Sequence, residues 1–273
     1  MPEDRNLTAM RTYYERGEEE ARLAISAAGL LEFERTKEIM LRHLPAPPAV
    51  VADIGGGPGR YTHWLADLGY QVMHRDLMPL HVAQLQQARG GGVRVDSAVA
   101  DARDLDLADG SVDAVLLLGP LYHLDRRHDR LSALAEAQRI AQPGAPVFAA
   151  AITRWALRMD DLLRLRRDRE IPALPEMVGP LERTGRIAPL YPGSFTGYAH
   201  RPAQFRTELV ASGLHVTDLV CVEGAAYLLS DLDQRLADPD GRRVVMDTAR
   251  ALERVPELLG IGPHLLATAQ ARA

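Results

Sequence analysis

Apolar residues recur at helical spacing through residues 10–44, MRTYYERGEEEARLAISAAGLLEFERTKEIMLRHL, with breaks near Gly17 and Gly29. The PAPP run at 45–48 ends that pattern, because proline lacks an N–H and restricts the residue before it. Short apolar runs and helix-period segments then alternate. AVVADI (49–54) predicts a strand and RYTHWLADLG (60–69) a helix closed by glycine. YQVMHRD (70–76) is a second strand and PLHVAQLQQARG the helix after it. VRVDSAVADA (93–102) and SVDAVLLLG (111–119) are the next strands, the latter apolar without alternation, as in a strand covered on both faces. DRLSALAEAQRIA (129–141) predicts a helix that stops at Pro143-Gly144, and APVFAAAIT (145–153) a fifth strand.

The rhythm fails over 154–200 and resumes with a helix at 202–213, a strand at 214–224, helices from about 226 to 258 and a last strand at 263–271. Alternation of this kind gives parallel strands joined by right-handed crossovers, with helices on both faces. The interruption is too long for an ordinary connection and reads as an inserted cap or lid. The expected organisation is an N-terminal helical cap segment (1–48), a core (49–153 and 201–273) and the insertion (154–200).

Composition narrows the function classes. Hydrophobic residues make up 47% and charged residues 25%, the profile of a globular protein. With 37 acidic against 32 basic side chains the net charge is -5, which argues against a nucleic-acid partner. The single cysteine, Cys221, excludes an internal disulfide and reads as a buried, unreactive strand residue. The N-terminal MPEDRNLTAM has no secretory pattern and no apolar run has spanning length, so the expectation is a cytoplasmic chain without membrane contact. A homodimer is left open.

The chemistry concentrates at ADIGGGPGRY (52–61). Gly55, Gly57 and Gly59 fall on every second residue, whereas the dinucleotide fingerprint needs its third glycine where this chain has Arg60. Asp53-x-Gly55-x-Gly57-x-Gly59 resembles motif I of the class I S-adenosylmethionine-dependent methyltransferases, and the alternating core agrees with it. The resemblance implies a Rossmann-like, doubly wound α/β fold with a mostly parallel seven-stranded sheet, and S-adenosylmethionine as cofactor. It implies a cofactor site made of Asp53, Gly55, Gly56, Gly57 and Gly59 under the methionine end. Asp76, with Leu77 beside it, would hold both ribose hydroxyls, since a carboxylate can accept from two vicinal hydroxyls. Asp101 and Ala102 would lie near the adenine amine, and Leu118 and Gly119 beside the cofactor. The implied activity is methyl transfer to a small-molecule acceptor at oxygen, nitrogen or carbon. The alternatives are a non-catalytic cofactor-binding scaffold or sensor and a nicotinamide-dependent oxidoreductase.

The loop GPLYH (119–123) should face the reacting methyl. Gly119 stands where amine-methylating relatives acting on nucleic acids carry Asn or Asp, which weakens that reading. Tyr122 and His123 are the catalytic candidates; His123 is either a general base or a packed helix-start residue. The cluster His123, Asp125, His128 and Asp129 is better explained by pairing with Arg126, Arg127 and Arg130 than by a metal, and none is expected. Tyr13 and Tyr14 either close over the cofactor or pack the first helix down. Tyr14, Phe195, Tyr198 and His200 are the acceptor-pocket candidates. Arg35 is read as a surface ion pair in preference to a cofactor-carboxylate ligand, and Arg164–Arg169 as a solvated face balanced by Asp160, Asp161, Asp168 and Glu170.

Overall fold

The structure is a computed structural model that describes residues 12–14, 23, 25–88, 95–189 and 195–272. Helix α1 (Ala27–Leu41) starts at Ser26, whose Oγ accepts from the Gly29 N–H at 3.0 Å. Gly29 therefore lies inside the helix, and the break falls at the cap before it; Gly17 lies outside the described residues. The core runs through β1 (Val50–Ile54), α2 (Arg60–Asp67), β2 (Gln71–Asp76), α3 (Pro79–Gln87), β3 (Val95–Val99), β4 (Ala114–Leu117), α4 (Arg127–Ile140) and β5 (Pro146–Thr153). After the insertion come α6 (Pro202–Ala211), β8 (His215–Cys221), α7 (Leu232–Ala237), α8 (Pro239–Leu252) and β9 (His264–Gln270).

Seven of these strands form the main sheet, in the order β3-β2-β1-β4-β5-β9-β8, with β9 antiparallel to both of its neighbours. The order reverses between β1 and β4, so the carboxyl ends of those strands open a crevice there. Both faces are covered. Leu116 of β4 packs with Phe33, Ile39 and Met40 of α1 and with Leu65 of α2. Its neighbours Val115 and Leu117 point the other way, into a cluster with Leu134 of α4 and Phe205 of α6. That two-sided burial is why the apolar run of this strand shows no alternation. Among the described residues no helix is long and apolar enough to cross a membrane.

The segment read as a cap or lid insertion (154–200) is tied to the sheet. It holds a π-helical turn (Arg158–Arg164), a 3-10 turn (Arg167–Arg169), α5 (Leu174–Thr184) and two short strands, β6 (Arg186–Ile187) and β7 (Gly197–His200). Strand β7 lies parallel to the projecting end of β5, pairing Ala199 with Ile152 and His200 with Thr153, and β6 adds antiparallel to it. The insertion thus closes back into the sheet.

Two buried ion networks also differ from the sequence reading. Arg35 is fully buried rather than superficial: it pairs with Glu253 and with Glu38 (2.7 Å), and its Nε donates to the Val222 carbonyl at 3.2 Å. Arg130 does not pair along its own helix start. It is buried and donates twice to Glu208 of α6, at 2.8 Å each. Burial disfavours ionised Glu208, but the bonds from Arg130 and His200 dominate and hold its carboxyl down to about 2.

Candidate active site at the strand ends

The turn after β1 is held from the neighbouring strand. The Gly55 N–H donates to the Arg75 carbonyl (2.6 Å), and His74 Nε2 bonds the Gly57 carbonyl (2.9 Å). Asp53 is buried and accepts from Thr62 Oγ1 at 2.7 Å; burial pushes its carboxyl above the usual range. The glycines are needed largely because the protein itself crowds them. A Cβ at Gly59, which sits at φ 93°, would stand 2.4 Å from Leu85, and one at Gly56 would stand 2.6 Å from His74. A Cβ at Gly55 would meet the Pro120 ring at 2.6 Å. The turn is thereby pressed flat against β2, α3 and the loop after β4, and its remaining face borders a cavity of about 1380 Å³ that opens to solvent.

Most of the sequence-derived candidates meet at this cavity. Asp53, Gly55, Gly56 and Gly57 form its floor, and Asp76 and Leu77 stand at the end of β2. Asp101 and Ala102 border it after β3, Leu118 and Gly119 after β4, with Tyr122, His123 and Tyr14 above. Gly59 is buried just outside it. Phe195 does not line it but stacks edge-on to His123, with centroids 5.2 Å apart, and Tyr13 packs on Phe195 at 5.7 Å.

Tyr198 and His200 are placed elsewhere, for a physical reason. Tyr198 lies under the Arg130 guanidinium (3.7 Å from the ring centroid), and His200 Nε2 bonds Glu208 at 3.1 Å in a fully buried site. Both serve the network that ties β7 to α4 and α6. Burial lowers the His200 pKa, so its imidazole stays neutral.

Asp76 is more heavily engaged than a bidentate ribose ligand would be. Its Oδ2 accepts from the Gly57 N–H (2.8 Å), and its Oδ1 accepts from the Met78 N–H (2.8 Å) and bonds His81 Nδ1 (3.0 Å). Burial opposes ionisation, yet these bonds hold the carboxyl below its ordinary value. A carboxylate offers about four acceptor positions, so roughly one remains. His81, unremarked in the sequence, lines the cavity, and its buried Nε2 finds no partner among the described residues. The buried Nε of Arg60, which also lines the cavity, is in the same condition among the described residues. An unpaired imidazole nitrogen and an unpaired guanidinium N–H fit a ligand that carries both hydroxyls and a carboxylate, as S-adenosylmethionine does.

Asp101 accepts from the Arg103 N–H (2.9 Å) and from its guanidinium (2.7 Å), which together keep it ionised below the usual range despite burial. Arg103 also approaches Asp129 at 3.5 Å, and His128 is 89% exposed, so the His123–Asp129 cluster disperses. His123 Nε2 bonds the Tyr14 hydroxyl at 2.6 Å, which joins Tyr14, a residue lining the cavity, to the β4 loop. A second polar group, Glu32 and His264 backed by Glu223, was missed because its members lie far apart in the chain. Cys221 is buried, which pushes its thiol up to about 12.

Comparison with known proteins agrees with this geometry. Residues 52–149 match the sequence pattern of a family described as a methyltransferase domain. The ubiquinone biosynthesis O-methyltransferase of Xanthomonas campestris pv. campestris is 33% identical over 111 residues, covering 40% of this chain and 45% of that protein. The chain thus spans just under half the length of the first curated relatives it matches. A Thermotoga maritima S-adenosylmethionine-dependent methyltransferase, described as a possible histamine N-methyltransferase, superposes with a TM-score of 0.59 at 13% identity, covering 98% of this chain and 100% of that one. The Burkholderia thailandensis 1,6-didemethyltoxoflavin N1-methyltransferase, solved with its substrate and S-adenosylhomocysteine, gives 0.57 at 16% identity over 100% and 93%. Residues 52–149 thus match a methyltransferase domain, and the chain as a whole shares the fold of solved S-adenosylmethionine-dependent methyltransferases.

Proposed function

We propose that the protein transfers a methyl group to a small-molecule acceptor held in the cavity above the β4 loop. The observation that carries this reading is the continuity of one cavity from Asp76 and Asp101, at the ends of β2 and β3, to Tyr122 and His123 on the loop after β4. When bound, S-adenosylmethionine supplies an electrophilic methyl on a charged sulfur. The protein's own tasks are alignment and exclusion of water. In this reading the Gly55–Gly57 turn and Leu118 position the methionine end, Arg60 takes its carboxylate, and Asp76 with His81 holds the ribose. Tyr14, Tyr122 and His123 form an aromatic wall over the reacting centre, their rings 4.8 to 5.3 Å apart around His123.

The name of the Xanthomonas relative favours an oxygen acceptor and that of the Burkholderia neighbour a nitrogen in a small heterocycle; both are small molecules. The net charge of -5 accords with an acceptor other than nucleic acid. The reading is tested by incubating the protein with methyl-tritiated S-adenosylmethionine and a cell extract, removing the unreacted donor chromatographically, and separating the remaining label by size. Label in the small-molecule fraction is expected. Label confined to protein or nucleic acid, or no transfer, contradicts it.

A further inference from the structure

Helix α1 meets the glycine turn along its cavity side, where Thr36 is one of the lining residues. Next to it Phe33 and Lys37, four residues apart and so on one face of the helix, come together, with the Lys37 ammonium 4.4 Å from the centre of the Phe33 ring. Arg60, which opens α2 directly after Gly59 and lines the cavity, brings its guanidinium to 4.7 Å from the same ring centre. Tyr61 packs tilted against that ring, with centroids 5.1 Å apart. One buried phenyl ring therefore anchors two cations at the edge of the cavity.

An aromatic face attracts a cation through its quadrupole and brings no negative charge. Neither cation finds that charge in the protein. Among the described residues no carboxylate pairs with Lys37 or Arg60, and the buried Nε of Arg60 has no acceptor. The carboxylates that the helix places beside Lys37 are engaged elsewhere: Glu34 pairs with Arg242, and Glu38 with Arg35, Arg42 and Arg250. Arg103, also on the cavity wall, is bound to Asp101. Lys37 is moreover the single lysine of a chain whose other strongly basic side chains are all arginine. Two neighbouring cations without a counter-charge, one with an orphaned buried donor, make a site for an anion.

We propose that Arg60 and Lys37, both anchored on Phe33, form a two-cation site for the carboxylate of the cofactor's methionine end, and that this site makes the protein select S-adenosylmethionine over its decarboxylated form. The inference rests on the methyl-transfer reading above and extends it from Arg60 to Lys37 and to cofactor selection. The positions agree with it. Asp76, the ribose acceptor, is tied to the Gly57 N–H at the middle of the turn, whereas Arg60 follows the turn's last glycine on the side of α1. An anion at Arg60 is thus set apart from the ribose, as the amino-acid tail is by the sulfur. The division of labour follows from the side chains. Arg60 offers directed N–H donors in a fixed plane, and Lys37 a compact charge at the half-buried rim.

The test uses the full chain and does not depend on knowing the acceptor. Isothermal titration compares S-adenosylmethionine with decarboxylated S-adenosylmethionine, which lacks only the carboxylate. The wild type should bind the decarboxylated form about tenfold more weakly. Lys37→Gln should weaken S-adenosylmethionine about fivefold and Arg60→Gln about tenfold, while neither changes the affinity for the decarboxylated form. A second readout needs no substitution. Reductive methylation with carbon-13 formaldehyde keeps the charge and labels Lys37 alone among the side chains. Its methyl resonance should move on saturation with S-adenosylhomocysteine and stay in place with 5′-methylthioadenosine, which has no carboxylate. Equal wild-type affinity for the two cofactor forms, variants that weaken both forms alike, or a Lys37 resonance indifferent to S-adenosylhomocysteine overturns the carboxylate site. The two readings fail differently. A wild type that binds neither cofactor form defeats methyl transfer and this site together, whereas binding that ignores the carboxylate defeats the site alone.

Discussion

At the residue scale, Asp76 shows what spacing reveals and what it hides. Its place at the end of β2 was legible, because an acidic residue after an alternating run follows from chain order alone. That three protein donors already occupy it was not, since His81 reaches it only after α3 turns back over the strand end. The same holds for Arg60, which the motif presents merely as the residue after Gly59. His81→Phe should keep the edge-on contact with Tyr14 (5.0 Å between centroids) while removing both Nε2 and the Nδ1 bond to Asp76. We expect S-adenosylhomocysteine affinity to fall about tenfold, or ~1.4 kcal/mol, by isothermal titration; unchanged affinity would remove His81 from the ribose site. Gly59→Ala should be worse for folding than for binding, because it combines a left-handed φ of 93° with a 2.4 Å approach to Leu85. Chemical denaturation should report a loss of at least ~1 kcal/mol, and a stability equal to wild type would contradict the crowding account.

At the element scale, the insertion was legible as an interruption and not as part of the sheet. Strands of two and four residues carry too little periodicity to be seen, and β7 exists because β5 projects past β4 and leaves a parallel edge to pair. The Arg130–Glu208–His200 network locks that edge to α4 and α6, and Arg130 reads in sequence as an ordinary helix-start charge. Glu208→Gln leaves a buried guanidinium without its counter-charge and should cost about 3 kcal/mol or more in urea unfolding at pH 7. The pH dependence has a definite sign. The Glu208 pKa is about 2 in the folded chain against an ordinary 4.5, so its stabilising contribution is complete above about 4.5 and is lost as pH falls toward 2. Buried His200, with its pKa lowered, adds a loss of stability as pH falls below about 6.5. The variant should therefore show a flatter acid limb below pH 4.5 than the wild type; parallel limbs would count against the network. Deleting 154–200 should lower the melting temperature of the whole domain, because it removes β7 from the sheet; an unshifted melt would show that the insertion does not support the sheet.

At the scale of the whole molecule, alternation of apolar runs with helix-period segments was enough to indicate a doubly wound, mostly parallel sheet, although no helix separates β3 from β4. The crevice at the switch between β1 and β4 follows from the strand order and locates the glycine turn, Asp76, Asp101 and the β4 loop around one cavity. The opposite wall was illegible because it is assembled from α1, the end of β8 and the start of β9, some 230 residues apart, with no motif linking Glu32 to Glu223 and His264. The account depends on the cofactor lying across that crevice. Isothermal titration of the wild type and Asp76→Ala with S-adenosylhomocysteine tests this most directly. One site per chain is expected, weakened at least tenfold by the substitution; no binding to the wild type, or equal affinity in the two proteins, would contradict it.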